Sequence, residues 1–243
     1  CGDLTSAIDF SSFDNSLPAL PAPADLAAVA ESDKTLPPVT QPAPGQQTFP
    51  EQPAQGPLKL RPVPYQQHAT VSVDRASGKV TASMTNTGSK AVSMQVFPDA
   101  FLPFTGTPNT VSKATGPKTF SWDSTTTGGQ YAFSIYGPDR FVRRFAGTVI
   151  PDGRSAGQVP QVDARLGTGN TKTLKITLTN AGHTQVRYTL TPNDYEGQEQ
   201  TVTVGFGQHV AVTWPTNQYG YYDVIITADT SDPFSYRFAG RVS

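Results

Sequence analysis

Residues Tyr222 to Val242 read YDVIITADTSDPFSYRFAGRV, and residues Tyr131 to Val149 read YAFSIYGPDRFVRRFAGTV, about 93 residues earlier. Each begins with an alternating run, Tyr222, Val224 and Ile226 in one and Tyr131, Phe133 and Ile135 in the other, as a strand with one buried face requires. Each breaks at a proline, Pro233 or Pro138, and each closes on Arg-Phe-Ala-Gly, Arg237 to Gly240 and Arg144 to Gly147. The two stretches predict the same β-hairpin, so the chain is built twice.

Outward from these hairpins the correspondence continues. Lys79 to Thr85 alternates and ends at Asn86-Thr87-Gly88; Thr173 to Thr179 alternates and ends at Asn180-Ala181-Gly182, a spacing of 94. Ala91 to Phe97 forms a further run that stops at Pro98, and Gln185 to Leu190 leads to Pro192. Tyr195 stands for Phe101, Trp214 for Trp122 and Gly220 for Gly129. Each copy therefore offers about seven short strands separated by turn signals, the pattern of an immunoglobulin-like or related β-sandwich. The expected fold is all-β, with a first sandwich over residues 65–150 and a second over 158–243.

Residues 1–64 are of another kind, holding 12 of the 22 prolines. Pro23 followed by Ala24 to Glu31, with Asp25 in the first turn, predicts about two turns of helix. Residues 36–64 have the composition of an extended, polyproline-like linker. Residues 1–35 precede it, and within them CGDLTSAIDFSSFD, Cys1 to Asp14, carries Leu4, Ile8, Phe10 and Phe13, apolar residues that want a surface to cover.

The net charge is −1 and only 15% of residues are charged, which counts against a nucleic-acid surface and equally against a polybasic membrane patch. One cysteine, Cys1, forms no internal disulfide. With neither an apolar run of membrane-spanning length nor a signal-peptide core, the chain reads as soluble. A mature chain beginning with cysteine fits a lipid-anchored protein and equally a fragment of a longer polypeptide.

No catalytic constellation emerges. His68, His183 and His209 sit in no serine or cysteine motif, and His183 reads as a solvated turn residue. Asp223, Asp229 and Asp232 form the densest acidic group and read as turn-forming aspartates rather than metal ligands. Asp194 and Glu196 flank Tyr195 in a loop, and Gly205-Phe206-Gly207 lacks the lysine and helix of a phosphate loop. Arg144 and Arg237 recur at one strand position, which suggests covering the sheet or pairing with a carboxylate. Trp122 and Trp214 read as core. Two aromatic loops remain, Phe101, Leu102 and Phe104 in one and Tyr219 and Tyr221 beside Tyr222 in the other, as tentative contacts with lipid or a protein partner.

The opening CGDLTSAIDF, the passage ending Arg61-Pro62-Val63-Pro64-Tyr65, and the closing Arg-Arg-Phe-Ala-Gly147 and Tyr-Arg-Phe-Ala-Gly240 together resemble the C-terminal part of the bacterial phosphocholine-preferring phospholipase C family, over essentially the whole chain. Ile8 stands where an aromatic residue is expected. The resemblance implies a preceding α/β phosphoesterase domain that holds the catalytic residues and a metal ion, with residues 1–35 as its tail. Leu4, Ile8, Phe10 and Phe13 would then pack on that domain, and the lipid-anchor reading of Cys1 recedes. It further implies a secreted enzyme that hydrolyses phosphatidylcholine or a related phosphodiester to diacylglycerol and a phosphorylated head group. This chain alone would be inactive, would carry no catalytic or metal-binding residue and would meet a phospholipid surface. A different class of reading is a non-catalytic tandem β-sandwich that binds a protein, a cell wall or a glycan.

Overall fold

Strand alternation fixes the architecture, because every apolar run must find a second layer to cover it. The computed structural model describes residues 23–36, 63–102, 106–149, 157–167 and 173–242. Leu4, Ile8, Phe10, Phe13 and Phe104 lie outside them. The chain divides into two units, residues 9–59 and residues 1–8 with 60–243. Within the first of these, helix α1 (Pro23–Asp33) starts on a proline, whose missing N–H costs nothing at a helix start.

Among the described residues, the second unit holds fourteen strands. They are β1 (Gln67–Asp74), β2 (Lys79–Asn86), β3 (Val92–Ala100), β4 (Thr107–Val111), β5 (Lys118–Asp123), β6 (Gln130–Tyr136) and β7 (Val142–Thr148), followed by β8 (Pro160–Leu166), β9 (Thr173–Asn180), β10 (Val186–Asp194), β11 (Gln200–Val204), β12 (His209–Pro215), β13 (Tyr221–Asp229) and β14 (Ser235–Arg241). Two three-stranded sheets, β1-β2-β5 and β12-β9-β8, accompany one eight-stranded sheet of order β11-β10-β13-β14-β7-β6-β3-β4. The pairing among β8–β14 reproduces that among β1–β7, and all the pairs are antiparallel.

The closing hairpins, β6–β7 and β13–β14, form as the sequence predicts, but they also join one another. β7 pairs with β14, with Arg144 opposite Arg237 and Phe145 opposite Tyr236. Since Arg144 and Arg237 are equivalent residues, a local two-fold passes between them. One large sheet therefore serves both of the tandem halves that the sequence predicts, a pairing between them that the sequence does not announce. A single cluster of buried residues runs through both, from Met84, Met94 and Phe133 to Leu178, Tyr188 and Ile226.

The shared motif owes its glycine to this arrangement. Tyr131 lies directly opposite Gly147, and Tyr222 opposite Gly240. A Cβ at Gly147 would stand 2.6 Å from the Tyr131 hydroxyl, and one at Gly240 3.0 Å from that of Tyr222. Each ring thus crosses a strand that has no side chain in its way, and the hydroxyls arrive at the β7–β14 junction.

Two sequence expectations are corrected. Pro98 and Pro192 do not end their strands; each lies inside one, at a register shift between Pro98 and Ala100 and between Pro192 and Asp194. A bulge takes one residue out of the ladder and so accommodates a residue that cannot donate. Asp223 is not a turn residue: it is buried in β13, opposite Ala239.

Candidate functional site

The bulges set the aromatic loops. Just beyond them, Phe101 and Tyr195 both adopt left-handed backbone, with φ of +67° and +66°. That conformation is uncommon for bulky residues, so the recurrence marks a built feature. Phe101 is 49% exposed, whereas Leu102 packs half-buried against the core. Tyr195 instead stacks on Tyr221, with ring centres 5.6 Å apart.

Tyr219 is 42% exposed, and Tyr221 is half-buried in a charged cluster. The Tyr221 hydroxyl donates to Asp139 Oδ1 at 3.1 Å, and the guanidinium groups of Arg140 and Arg241 lie over its ring. Arg140 also donates to the Tyr195 hydroxyl, and Arg241 Nε to the Tyr219 carbonyl at 3.1 Å. Burial and then the neighbouring Asp139 hold the Tyr221 phenol above its ordinary value.

The two aromatic groups do not meet. Ala100, just before Phe101, lies in a row with Ala132, Ala146 and Ser235, whereas Tyr221 lies opposite Arg241. Six residues of β14 separate these rows, roughly 20 Å of extended chain. Phe101 and the Tyr219–Tyr221 cluster therefore stand at opposite ends of the shared sheet. The sequence reading missed Phe97 and Tyr136, both exposed, which meet edge to face at 5.7 Å. The signal was there: Phe97 is out of phase with Val92, Met94 and Val96, so it faces away from the core. The reading also missed Asp139, Arg140 and Arg241, which no alternation singles out.

On the outer face of the shared sheet, each repeated arginine holds a carboxylate. Arg144 Nε pairs with Asp99 Oδ2 at 3.0 Å, and Arg237 contacts both oxygens of Asp223 at 2.9 and 2.6 Å. The acid is on β3 in one half and on β13 in the other, yet each guanidinium is neutralised beside its like-charged neighbour. Their burial differs: side-chain exposure is 52% and 25% for Arg144 and Asp99, against 35% and 6% for Arg237 and Asp223. Arg237→Ala strands a buried carboxylate with Asn193 as its remaining side-chain partner and lowers stability by about 2 kcal/mol. Arg144→Ala costs less than about 1 kcal/mol, as for other solvated pairs. Urea midpoints of the two variants check the difference.

On the inner face, the halves are tied by hydrogen bonds across the β7–β14 junction. The Tyr131 and Tyr236 hydroxyls lie 2.7 Å apart, and at the equivalent place Arg143 Nη2 donates to the Tyr222 hydroxyl at 2.8 Å. Burial raises the Tyr131 phenol to about 12 despite that bond.

His68 on β1 is close enough to feel Arg143. Burial takes its imidazole down to about 4; Arg143 and Arg165 add to the shift and Asp163 opposes it. The unfolded chain accepts a proton near 6.5, whereas the native state resists until about 4. The native state is therefore at full strength above the first value and weakens as pH falls towards the second, by up to about 3 kcal/mol. His68→Gln removes this slope, which urea titrations at about pH 7 and about pH 4.5 measure.

Among the described residues, no group of three or more histidine, cysteine, aspartate or glutamate side chains could hold a metal ion, so no catalytic step through a metal is assigned to them. Among the same residues, no helix is long and apolar enough to cross a membrane. These residues define a class, an all-β protein of antiparallel sandwiches with polar ties across a shared sheet. The sequence profile described as "Bacterial phospholipase C, C-terminal domain" matches residues 60–148 and 158–241, and the chain belongs to that family. It is 30% identical over 247 residues to a protein named non-hemolytic phospholipase C from Burkholderia pseudomallei, covering 100% of this chain and 34% of the relative. It is 29% identical over 248 residues to the Pseudomonas aeruginosa protein of the same name, again over 100% of this chain and 35% of the relative. With the hemolytic phospholipase C of Pseudomonas aeruginosa it shares 27% over 273 residues, 100% of this chain and 36% of that protein. The chain thus spans about a third of the length of these relatives.

Proposed function

We propose that this chain is the C-terminal portion of a secreted bacterial phospholipase C acting on phosphatidylcholine or a related phosphodiester. In the overall reaction water adds to phosphorus and the bond from phosphorus to the glycerol oxygen breaks. Diacylglycerol leaves with a proton, and the phosphorylated head group is the second product. The catalytic residues and their metal ion belong to the part of the protein that this chain does not match. The observation that carries the reading is similarity over the whole of this chain, and about a third of the relative, to a protein named phospholipase C, at 30% identity for the Burkholderia relative.

The chain's own part is to complete the preceding phosphoesterase domain and to present apolar groups to the lipid surface. Leu4, Ile8, Phe10 and Phe13 would cover that domain. Exposed Phe101, whose ring stands at a sheet end on a left-handed residue, supports the second role. Tyr219 and Tyr221 fit a partner contact better, because Tyr221 is tied into a charged cluster.

Phe101→Ser combined with Phe104→Ser weakens binding to phosphatidylcholine vesicles about tenfold, the expectation for two rings removed from an interface. Hydrolysis of a water-soluble phosphocholine ester by the whole enzyme stays unchanged. Unaltered vesicle binding would remove this loop from the lipid contact.

A further inference from the structure

A cavity of about 300 Å³ lies between the two small sheets, lined by residues of both halves. Tyr131, Phe234 and Tyr236 supply aromatic surface from the shared sheet and its hairpin. Val71, Ser72 and Val73 of β1 line it consecutively, and so do residues 158–163 at the start of β8. Neighbouring strand residues point to opposite faces, so consecutive lining residues mean that a strand edge, not a strand face, looks into the space. Among the described residues both are edge strands, β1 pairing only with β2 and β8 only with β9.

The register shows which backbone groups face it. The Thr87 N–H donates to the Gln66 carbonyl, so residues 66, 68, 70 and 72 turn their backbone groups to β2. Those of Val71 and Val73 point the other way, to the cavity. On β8, Ala181 donates to Val159 and Gly167 to Thr173, which turns the odd residues to β9 and leaves Val162 facing out. The outward N–H and C=O groups of Val71, Val73 and Val162 find no partner among the described residues.

We propose that this cavity takes an extended peptide segment supplied by another polypeptide, which adds to β1 as a strand and lays one bulky apolar side chain against Tyr131, Phe234 and Tyr236. Unpaired edge groups want alternating amide donors and acceptors, which a peptide backbone offers at the matching spacing. The volume lies at the low end of ligand sites and suits one large side chain with its adjoining backbone. Arg75, Asp163 and Asp232 bring both signs of charge to the lining, which favours neither sign on the bound stretch, so an uncharged segment is the simplest probe.

The probe is the blocked pentapeptide acetyl-Thr-Val-Phe-Val-Thr-amide, titrated into the isotope-labelled chain. Binding below about 1 mM is expected, with the largest amide shifts at Val71, Val73 and Val162. The same peptide methylated on alternate backbone nitrogens binds about tenfold more weakly, because it cannot pair with an edge. Phe234→Ala weakens the unmodified peptide to a similar degree. Equal binding of the methylated peptide, shifts centred elsewhere, or no shift at about 1 mM would each overturn the proposal; the peptide comparison needs no variant and so holds even where Phe234→Ala disturbs folding.

Discussion

Trp214→Ala lowers the stability of the β-body by about 3–5 kcal/mol, the largest loss expected from any single truncation in this chain. Trp214 is fully buried on β12, opposite Leu174 of β9. Its ring fills the space over Gly197, whose φ is +142° and where a Cβ would come within 2.5 Å of the ring. Nothing nearby can collapse into the hole, because the backbone at Gly197 is shaped around the indole. The equivalent Trp122 is only half-buried and meets Phe133 edge-on at 4.8 Å, so Trp122→Ala costs roughly half as much. Calorimetry of Trp214→Ala shows one transition at lower temperature, since one core and one sheet run through both halves. Two separate transitions would contradict the shared sheet as the unit of folding.

Arg143→Ala lowers stability by about 3 kcal/mol, and a double-mutant cycle locates the loss at the junction. Arg143 is fully buried, and its hydrogen bonds go not to a carboxylate but to the carbonyls of Val142 and Ala239, at 2.8 and 2.6 Å, and to the Tyr222 hydroxyl. Phe141 stacks its ring 4.2 Å from the guanidinium carbon, with Tyr222 and Phe238 farther out. The charge is thus held by carbonyl dipoles and aromatic faces, an arrangement that alanine removes along with the packing. Arg143→Met keeps much of the volume and costs about half as much. Tyr222→Phe costs about 1 kcal/mol in the native background and close to nothing beside Arg143→Met. Equal costs in the two backgrounds would mean that the bond between the halves carries no stability.

The strands were legible because burial writes a period of two into the sequence: Tyr131, Phe133 and Ile135 alternate for a reason that needs no neighbour to be known. The junction was not, because pairing of β7 with β14 joins residues about 90 or more apart, Arg144 with Arg237 at its centre, through a contact that neither strand announces. Arg143 shows the difficulty. Nothing in the sequence sets it apart, and only the shared sheet buries it against Tyr222. Pro98 reads as a stop because proline cannot donate to a ladder, and the bulge that accommodates it leaves no signature in residue types. In the candidate site Phe101 stands out as an apolar residue in a loop, whereas Phe97 and Tyr136 sit on the outward phase of their strands, where the alternation marks them only once it is followed residue by residue. The two aromatic loops looked alike in sequence, yet the local two-fold sends them to opposite ends of the sheet.

We propose that this chain meets the lipid while the chemistry lies elsewhere in the protein. The most direct test incubates the 243-residue chain alone with phosphatidylcholine vesicles and measures co-sedimentation and released phosphocholine in the same sample. Vesicle-bound chain is expected, weakened by Phe101→Ser with Phe104→Ser, together with no released phosphocholine. Release of phosphocholine by the chain alone, or no association with the vesicles, would contradict it.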